Sequence, residues 1–314
     1  MNTVTLGSSA LTASRMAYGC WRIAGTWSPA EVTPASEAAG RQAVTAAYEA
    51  GYTFFDHADI YCEGVAERIF GQVLKEVSGM RSKIVIATKC GIRKPGDPKP
   101  ESPYRYDFSS EHIVQSCEQS LRRLGVETID VYQLHRPDYL MNPEEVATAF
   151  AKLKQSGKVR EFGVSNFRSS QVTALQRACP MRLIVNQIEI SLAKLDALED
   201  DTLDQCLAER ISPMAWSPLG GGHLGDRVHR VLPSQESYET KSVASVLDMF
   251  ARQRAVTRPT IALAWLLKHP AGIIPIIGSI DPDHIRAAAK AAEVELSRDE
   301  WYLLFAAARG TRLP

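Results

Sequence analysis

The sequence predicts one α/β domain folded as a (β/α)8 barrel, and three observations predict it. Short Val- and Ile-rich runs alternate with longer helical patterns along the whole chain. These runs are apolar throughout rather than alternating, which suits a parallel sheet buried on both faces. Eight strand–helix units fit into 314 residues, the barrel count. A doubly wound sheet, the rival, requires a glycine-rich first βα turn, and no GxGxxG is present.

Taken in order, VTLGSSALTAS (residues 4–14) reads as a hairpin closing the barrel's bottom. Strands are expected at Arg15–Gly19, Tyr52–Ala58, Ile84–Lys89, Asp130–His135, Val159–Ser165, Leu183–Ile190, Ile211–Ser217 and Gly272–Gly278. Helical patterns include Ala35–Ala50, Ser110–Leu124, Pro143–Gln155, Asp283–Ala292 and Arg298–Ala308. Ser109 or Ser110 caps one helix start, and Asn142 caps another with Pro143 at the first helical position. Gly51, Gly125 and Gly157 stand where helices should stop. Two connections, Gly91–Phe108 after the third strand and Leu219–Thr240 after the seventh, are long enough to be functional loops on the catalytic face. No linker or repeat divides the chain, so residues 1–314 are expected to form a single barrel domain.

Composition narrows the partners. The 36 Lys and Arg balance the 36 Asp and Glu, so no global field favours nucleic acid, an anionic membrane or an acidic protein. Six cysteines without paired spacing suggest reduced thiols. No apolar run approaches the ~20 residues of a membrane span, and the first residues lack a signal-peptide pattern. The expected compartment is the cytoplasm. The short segment after the last helix predicts an open pocket, and oligomeric state is not legible.

Four strand ends carry ionisable groups, where a barrel builds chemistry. GYTFFDHADIY places Asp56 at a strand tip and Tyr61 five residues on. IVIATK ends at Lys89, DVYQLH at His135, and REFGVSNF near Ser165 and Asn166. A phenol has an ordinary pKa of ~10, so Tyr61 needs a neighbour to exchange protons near neutrality. A Lys89 ammonium held by Asp56 would favour the phenolate, and His135 could donate to a substrate oxygen. Each residue alone has a structural alternative: packed aromatic, helix cap, solvated strand end, hydrogen-bonded core histidine. Their joint placement on the second, third and fourth strands carries the functional reading. His57, Asp59 and His135 do not have metal-ligand spacing, so no metal is expected. Lys89 could instead form a Schiff base, as in barrel aldolases, though a carboxylate partner would keep it charged. The amides of Asn166 and Gln187, with Ser165, suit a carboxamide such as that of nicotinamide, and Trp216 beside Ser217 offers a face for stacking.

At these residues the chain resembles the aldo-keto reductase superfamily over almost its whole length. GVSNF (163–167), NQIEIS (186–191), AWSPLGGG (215–222) and PIIGSIDPDHI (275–285) stand in family order. AWSPLGGG, with DHADIY and LHRPD, points to a little-characterised bacterial oxidoreductase branch rather than the aldose reductases. The resemblance implies an Asp56–Tyr61–Lys89–His135 tetrad reducing an aldehyde or ketone with hydride from reduced nicotinamide. Tyr61 would protonate the oxygen, assisted by Lys89 and Asp56, while His135 orients the carbonyl. Ser165, Asn166 and Gln187 would hold the carboxamide, with Gly19 and Trp21 bordering the ring and Trp216 stacking on it. Ser217, Pro218, Leu219, Gly220, Gly221 and Gly222 would approach the pyrophosphate. NADP(H) is the first expectation and NAD(H) the second, because the adenosine end departs from the family pattern. There Gly278, Ser279 and His284 stand where NADPH-preferring relatives often carry Lys, Ser and Arg. Arg286 cannot substitute, since two residues along a helix turn it ~200° away. A nicotinamide-binding regulatory subunit is the other alternative, which an intact tetrad argues against.

Overall fold

The computed structural model describes residues 1–225 and 233–311. Eight parallel strands close a barrel: β3 (Ala17–Gly19), β4 (Phe54–Asp56), β5 (Val85–Cys90), β8 (Ile129–Leu134), β9 (Val159–Ser165), β10 (Leu183–Glu189), β11 (Ser212–Trp216) and β12 (Ile274–Ile277). The hairpin β1 (Thr3–Thr5) and β2 (Thr12–Ser14) precedes them, paired antiparallel as expected. The segment after β5 folds a second small hairpin, β6 (Ile92–Arg93) with β7 (Arg105–Tyr106). Of Leu219–Thr240, residues 226–232 lie outside the described residues.

Helices α1 (Pro34–Glu49), α2 (Val65–Glu76), α3 (Ser110–Leu124), α4 (Pro143–Gln155), α5 (Ser169–Ala178) and α6 (Thr202–Glu209) follow the first six barrel strands. Their starts are chemically marked. Ser109 accepts from the His112 N–H and Asn142 from the Glu144 N–H, which satisfies donors a helix start leaves orphaned. The last two units differ from a plain repeat. Two helices, α7 (Lys241–Arg254) and α8 (Arg258–Lys268), separate β11 from β12, and α9 (Pro282–Ala289) and α10 (Arg298–Arg309) end the fold. Trp265 of α8 and Trp301 of α10 stack at 5.0 Å, and each indole N–H donates to the other's carbonyl. That reciprocal pair anchors α10 outside the barrel.

The expected first and last strands are shorter than the sequence pattern. Arg15 stands outside the sheet, its guanidinium donating to the carbonyls of Leu267 near the end of α8 and of Gly272 and Ile273 beyond it. Beyond β4 the ladder continues in loop form, with His57 N donating to Ala87 O and Asp59 N to Lys89 O.

The barrel interior is layered by the two-residue period of a strand. Ala17, Phe54, Ala87, Val131, Val185, Met214 and Ile274 form one apolar cluster inside the barrel. Two residues further along six of those strands stand Gly19, Asp56, Lys89, Gln133, Gln187 and Trp216. On β9 Gly163 permits the closure, since a side chain there would meet Val185 Cγ2 at 2.3 Å, and Ser165 follows it. The same alternation that seals the barrel thus lifts a polar layer onto its C-terminal mouth.

Candidate active site

Lys89 is the centre of that layer. Its Nζ is fully buried and donates to Asp56 Oδ2 at 2.8 Å, to the His57 carbonyl at 2.7 Å and to Tyr61 OH at 3.2 Å. Gln187 Nε2 donates to the other Asp56 oxygen at 2.9 Å. Asp56 is therefore held from two sides, by strands β5 and β10. Desolvation lowers the Lys89 pKa, but the Asp56 charge, the Tyr61 phenol and the hydrogen bonds to both outweigh it, so the net shift is upward. The ammonium stays charged.

Tyr61 reaches this group through a sharp turn. Cys62, Glu63 and Gly64 all have left-handed backbones, with φ of 47°, 52° and 87°. Two of the three are not glycine, a strained arrangement that the packed surroundings must enforce. Gly64 is required by space as well: a side chain there would meet Arg123 Cδ and Nε at 2.4 Å. Arg123 in turn donates to buried Glu67 at 2.7 Å, and Thr88 donates to the other Glu67 oxygen at 2.6 Å. Lys89 draws the phenol toward the phenolate, as expected, but burial together with the Asp56 charge outweighs it, so the net shift is upward and the proton is retained.

The His135 ring lies edge-on to Tyr61 at 5.9 Å between centroids. Burial, then the Lys89 and Arg136 charges, depress its pKa well below the ordinary range, so the imidazole is neutral. Its Nδ1 is buried without a hydrogen-bond partner among the described residues.

The three amide and hydroxyl positions expected to hold a carboxamide are engaged within the protein. Asn166, at φ 61°, donates from Nδ2 to Ser165 Oγ at 2.8 Å and to the His135 carbonyl at 3.3 Å. Its Oδ1 accepts from the Trp216 indole N–H at 2.9 Å, and Ser165 Oγ donates to the Gln187 carbonyl at 2.9 Å. Both Asn166 N–H groups are thus used, and the residue fixes the Trp216 ring and the His135 backbone. Ser165 and Gln187 retain acceptor capacity toward a ligand.

Trp216 is partly exposed at the end of β11, and Ser217, Gly220, Gly221 and Gly222 follow it at φ of 48°, 56°, 67° and 108°. Consecutive left-handed residues without side chains make a turn that backbone N–H groups can present to an anion. Gly220 N and Gly222 N instead donate to Ser217 O and Leu219 O, so they stiffen the turn. Pro218 and Leu219 lie between. Trp21 sits in the one-turn helix Cys20–Arg22, its ring 5.7 Å from Trp27. Gly19 is required by packing, because a side chain would meet Ile276 Cγ2 at 2.8 Å; at Gly278 it would meet Trp21 Nε1 at 2.4 Å. The partly exposed indole and the acceptors of Ser165 and Gln187 fit a nicotinamide at the mouth.

The end expected to face the adenosine is built differently. Asp281 caps α9 by accepting from Asp283 N at 2.9 Å. His284 Nδ1 lies 3.8 Å from Asp281 Oδ2, and Arg286 is paired with Asp283 at 2.9 Å. The Ser279 carbonyl accepts from Tyr18 OH and its hydroxyl from Asp281 N.

Several residues facing the site were not found from sequence. Trp27 packs edge-on against Tyr61 at 6.2 Å, and Arg136 lies over Trp216 at 5.3 Å. Glu189 accepts from Gln235 at 2.6 Å and Tyr238 at 2.8 Å, tying the far end of the Leu219–Thr240 segment to β10. Arg136 had a signal, since it follows His135 within LHRPD. Trp27 lies in an irregular loop without periodicity, and the Glu189 contact joins residues 46 and 49 positions apart.

Comparison with known proteins bears on the same barrel. A 6-dehydroglucose reductase of Novosphingobium aromaticivorans is 40% identical over 98% of this chain and 96% of its own length. Among solved structures, a glycerol dehydrogenase from Gluconobacter oxydans matches with a TM-score of 0.85 at 25% identity, covering 99% of this chain and 97% of that one. An aldo/keto reductase from Klebsiella pneumoniae, solved in complex with NADP and acetate, matches with a TM-score of 0.76 at 26% identity, covering 96% and 93%. The Aldo/keto reductase family profile spans residues 15–308, from the first barrel strand to the last helix, and with it the chain belongs to the aldo/keto reductase family of oxidoreductases.

Proposed function

We propose that this protein reduces small aldehydes and ketones with NADP(H), NAD(H) being the second choice. The observation that carries the reading is the three-way hold on Lys89, which joins Asp56 and Tyr61 into one buried proton-transfer unit beside a neutral His135. A bound reduced nicotinamide supplies hydride to the carbonyl carbon. Tyr61, protonated because it is buried, gives its proton to the carbonyl oxygen, and the adjacent Lys89 cation stabilises the phenolate left behind. Asp56 keeps the ammonium charged and aimed. His135, with Nδ1 buried and unpartnered, serves best in the tautomer that carries its proton on Nε2, a donor for the substrate oxygen. Asn166 sets the Trp216 ring, which would offer the nicotinamide a face, and Gln187 positions Asp56 while leaving an acceptor that would suit the carboxamide.

A Schiff base on Lys89 is disfavoured, because an ammonium with three acceptors and a raised pKa is not a nucleophile. Support for NADP(H) comes from the NADP complex of the Klebsiella pneumoniae relative. The name of the Novosphingobium aromaticivorans relative makes sugar-derived aldehydes one arm of the substrate search. The test follows NADPH and NADH oxidation across aldehydes, quinones and α-dicarbonyls, with Tyr61→Phe as control. Oxidation abolished by Tyr61→Phe with cofactor binding retained is the expected result. No carbonyl-dependent oxidation with any class would overturn the reading.

A further inference from the structure

Arg136, directly after β8, carries a cation that this mechanism does not use. It is partly buried, and no carboxylate pairs with it among the described residues. Arg93 and Arg123, by contrast, each hold an acid at 2.9 Å and 2.7 Å. The guanidinium carbon lies 5.3 Å from the Trp216 ring centroid. Arg136 directly follows His135, whose ring lies 5.9 Å from that of Tyr61, and its charge bears on Tyr61, His135 and Tyr104, so it sits beside the catalytic group. Trp27 packs edge-on against Tyr61 at 6.2 Å.

A partly desolvated guanidinium without an acid needs acceptors, and its planar fork offers two parallel N–H groups to them. We propose that Arg136 is a specificity-determining residue that holds an acceptor oxygen, hydroxyl or carboxylate, carried within about three carbons of the reacting carbonyl. Oxygenated aldehydes are then preferred over plain alkyl aldehydes of similar size. The proposal rests on the carbonyl-reductase reading of the same site. Hydrogen bonds to a charged partner make its loss large, because an unoccupied guanidinium stays poorly solvated.

The test compares wild type, Arg136→Met and Arg136→Lys on two matched pairs: glyceraldehyde against propanal, and succinic semialdehyde against butanal. Expected for Arg136→Met is a fall of about 10- to 100-fold in the oxygenated-to-plain ratio of kcat/KM, carried by KM. Arg136→Lys should retain part of the ratio, and added guanidinium should restore part of it in Arg136→Met. A fall in the first pair alone identifies a hydroxyl as the group held, in the second alone a carboxylate. A ratio unchanged within about twofold in both pairs would overturn the proposal while leaving the reductase reading intact. Binding is read without turnover by titrating tryptophan fluorescence with glycolate against propanol. Glycolate should quench wild type and not Arg136→Met, and identical curves would count against the proposal even in a protein without reductase activity.

Discussion

The two ends of the barrel mouth use the same residue types in opposite ways. At the catalytic end Asp56, Tyr61, Lys89 and Gln187 are drawn inward and joined by hydrogen bonds of 2.8 to 3.2 Å. At the end proposed for the adenosine, Asp281, Asp283, His284 and Arg286 sit on the exposed first turns of α9, with half or more of each side chain in solvent. Low dielectric and mutual contact make the first group act as a unit, while water screens the second into nearly independent pairs. Substitutions at the first end should be costly and non-additive, and those at the second modest and additive.

The largest expected effect tests the unit itself. Tyr61→Phe should lower turnover ~10²–10⁴-fold with cofactor binding kept, as for loss of a general acid. Lys89→Met should cost as much, and the double variant little more than either. Single-turnover kinetics of the three variants check this; a double loss equal to the product of the single losses would dissolve the unit into independent groups.

Lys89→Met should also destabilise the fold by ~3–5 kcal/mol, because it leaves the Asp56 carboxylate buried with only Gln187. Urea denaturation at neutral pH measures it. Arg286→Ala, which breaks the exposed pair with Asp283, should cost under ~1 kcal/mol by the same measurement. Equal costs would erase the contrast between the two ends.

A third test concerns a carboxylate behind the catalytic turn. Asp59 is buried beside Glu67, with Oδ1 unpartnered, and desolvation and then Glu67 push its pKa up to about 8. The folded value lies above an aspartate's ordinary 3.8, so folding favours the protonated form. That stabilisation is complete below ~4 and is lost as pH rises through about 8. Asp59→Asn should therefore gain stability relative to wild type between pH 6 and pH 9, read as denaturation midpoints at both values. A constant difference across that window would mean that Asp59 is already ionised.

The smallest effect belongs to the exposed end. His284→Arg should strengthen NADPH binding by ~1 kcal/mol and leave NADH nearly unchanged, since a surface guanidinium adds one screened contact to a 2′-phosphate. Fluorescence titration of both cofactors decides it. An unchanged NADPH affinity would assign the phosphate to another residue.

Much of the framework was legible because it depends on short-range rules. Ser110–Leu124, Pro143–Gln155 and Val159–Ser165 begin and end where caps, glycines and apolar runs placed them. Asp56, Lys89 and His135 were legible as strand-end residues, because strand ends are where a parallel barrel exposes side chains.

What the tertiary structure decided are the contacts that join distant strands and the balance of burial against charge. Nothing near Gln187 announces a bond to Asp56, 131 residues away, or near Asn166 one to Trp216, 50 residues on. The net upward shift of the Tyr61 pKa was not legible for the same reason: the Lys89 charge is visible in the sequence, but desolvation is a property of everything packed around the phenol. Short-range hydrogen bonding and periodicity are written residue by residue, whereas distance and dielectric exist only once the chain has closed into a barrel.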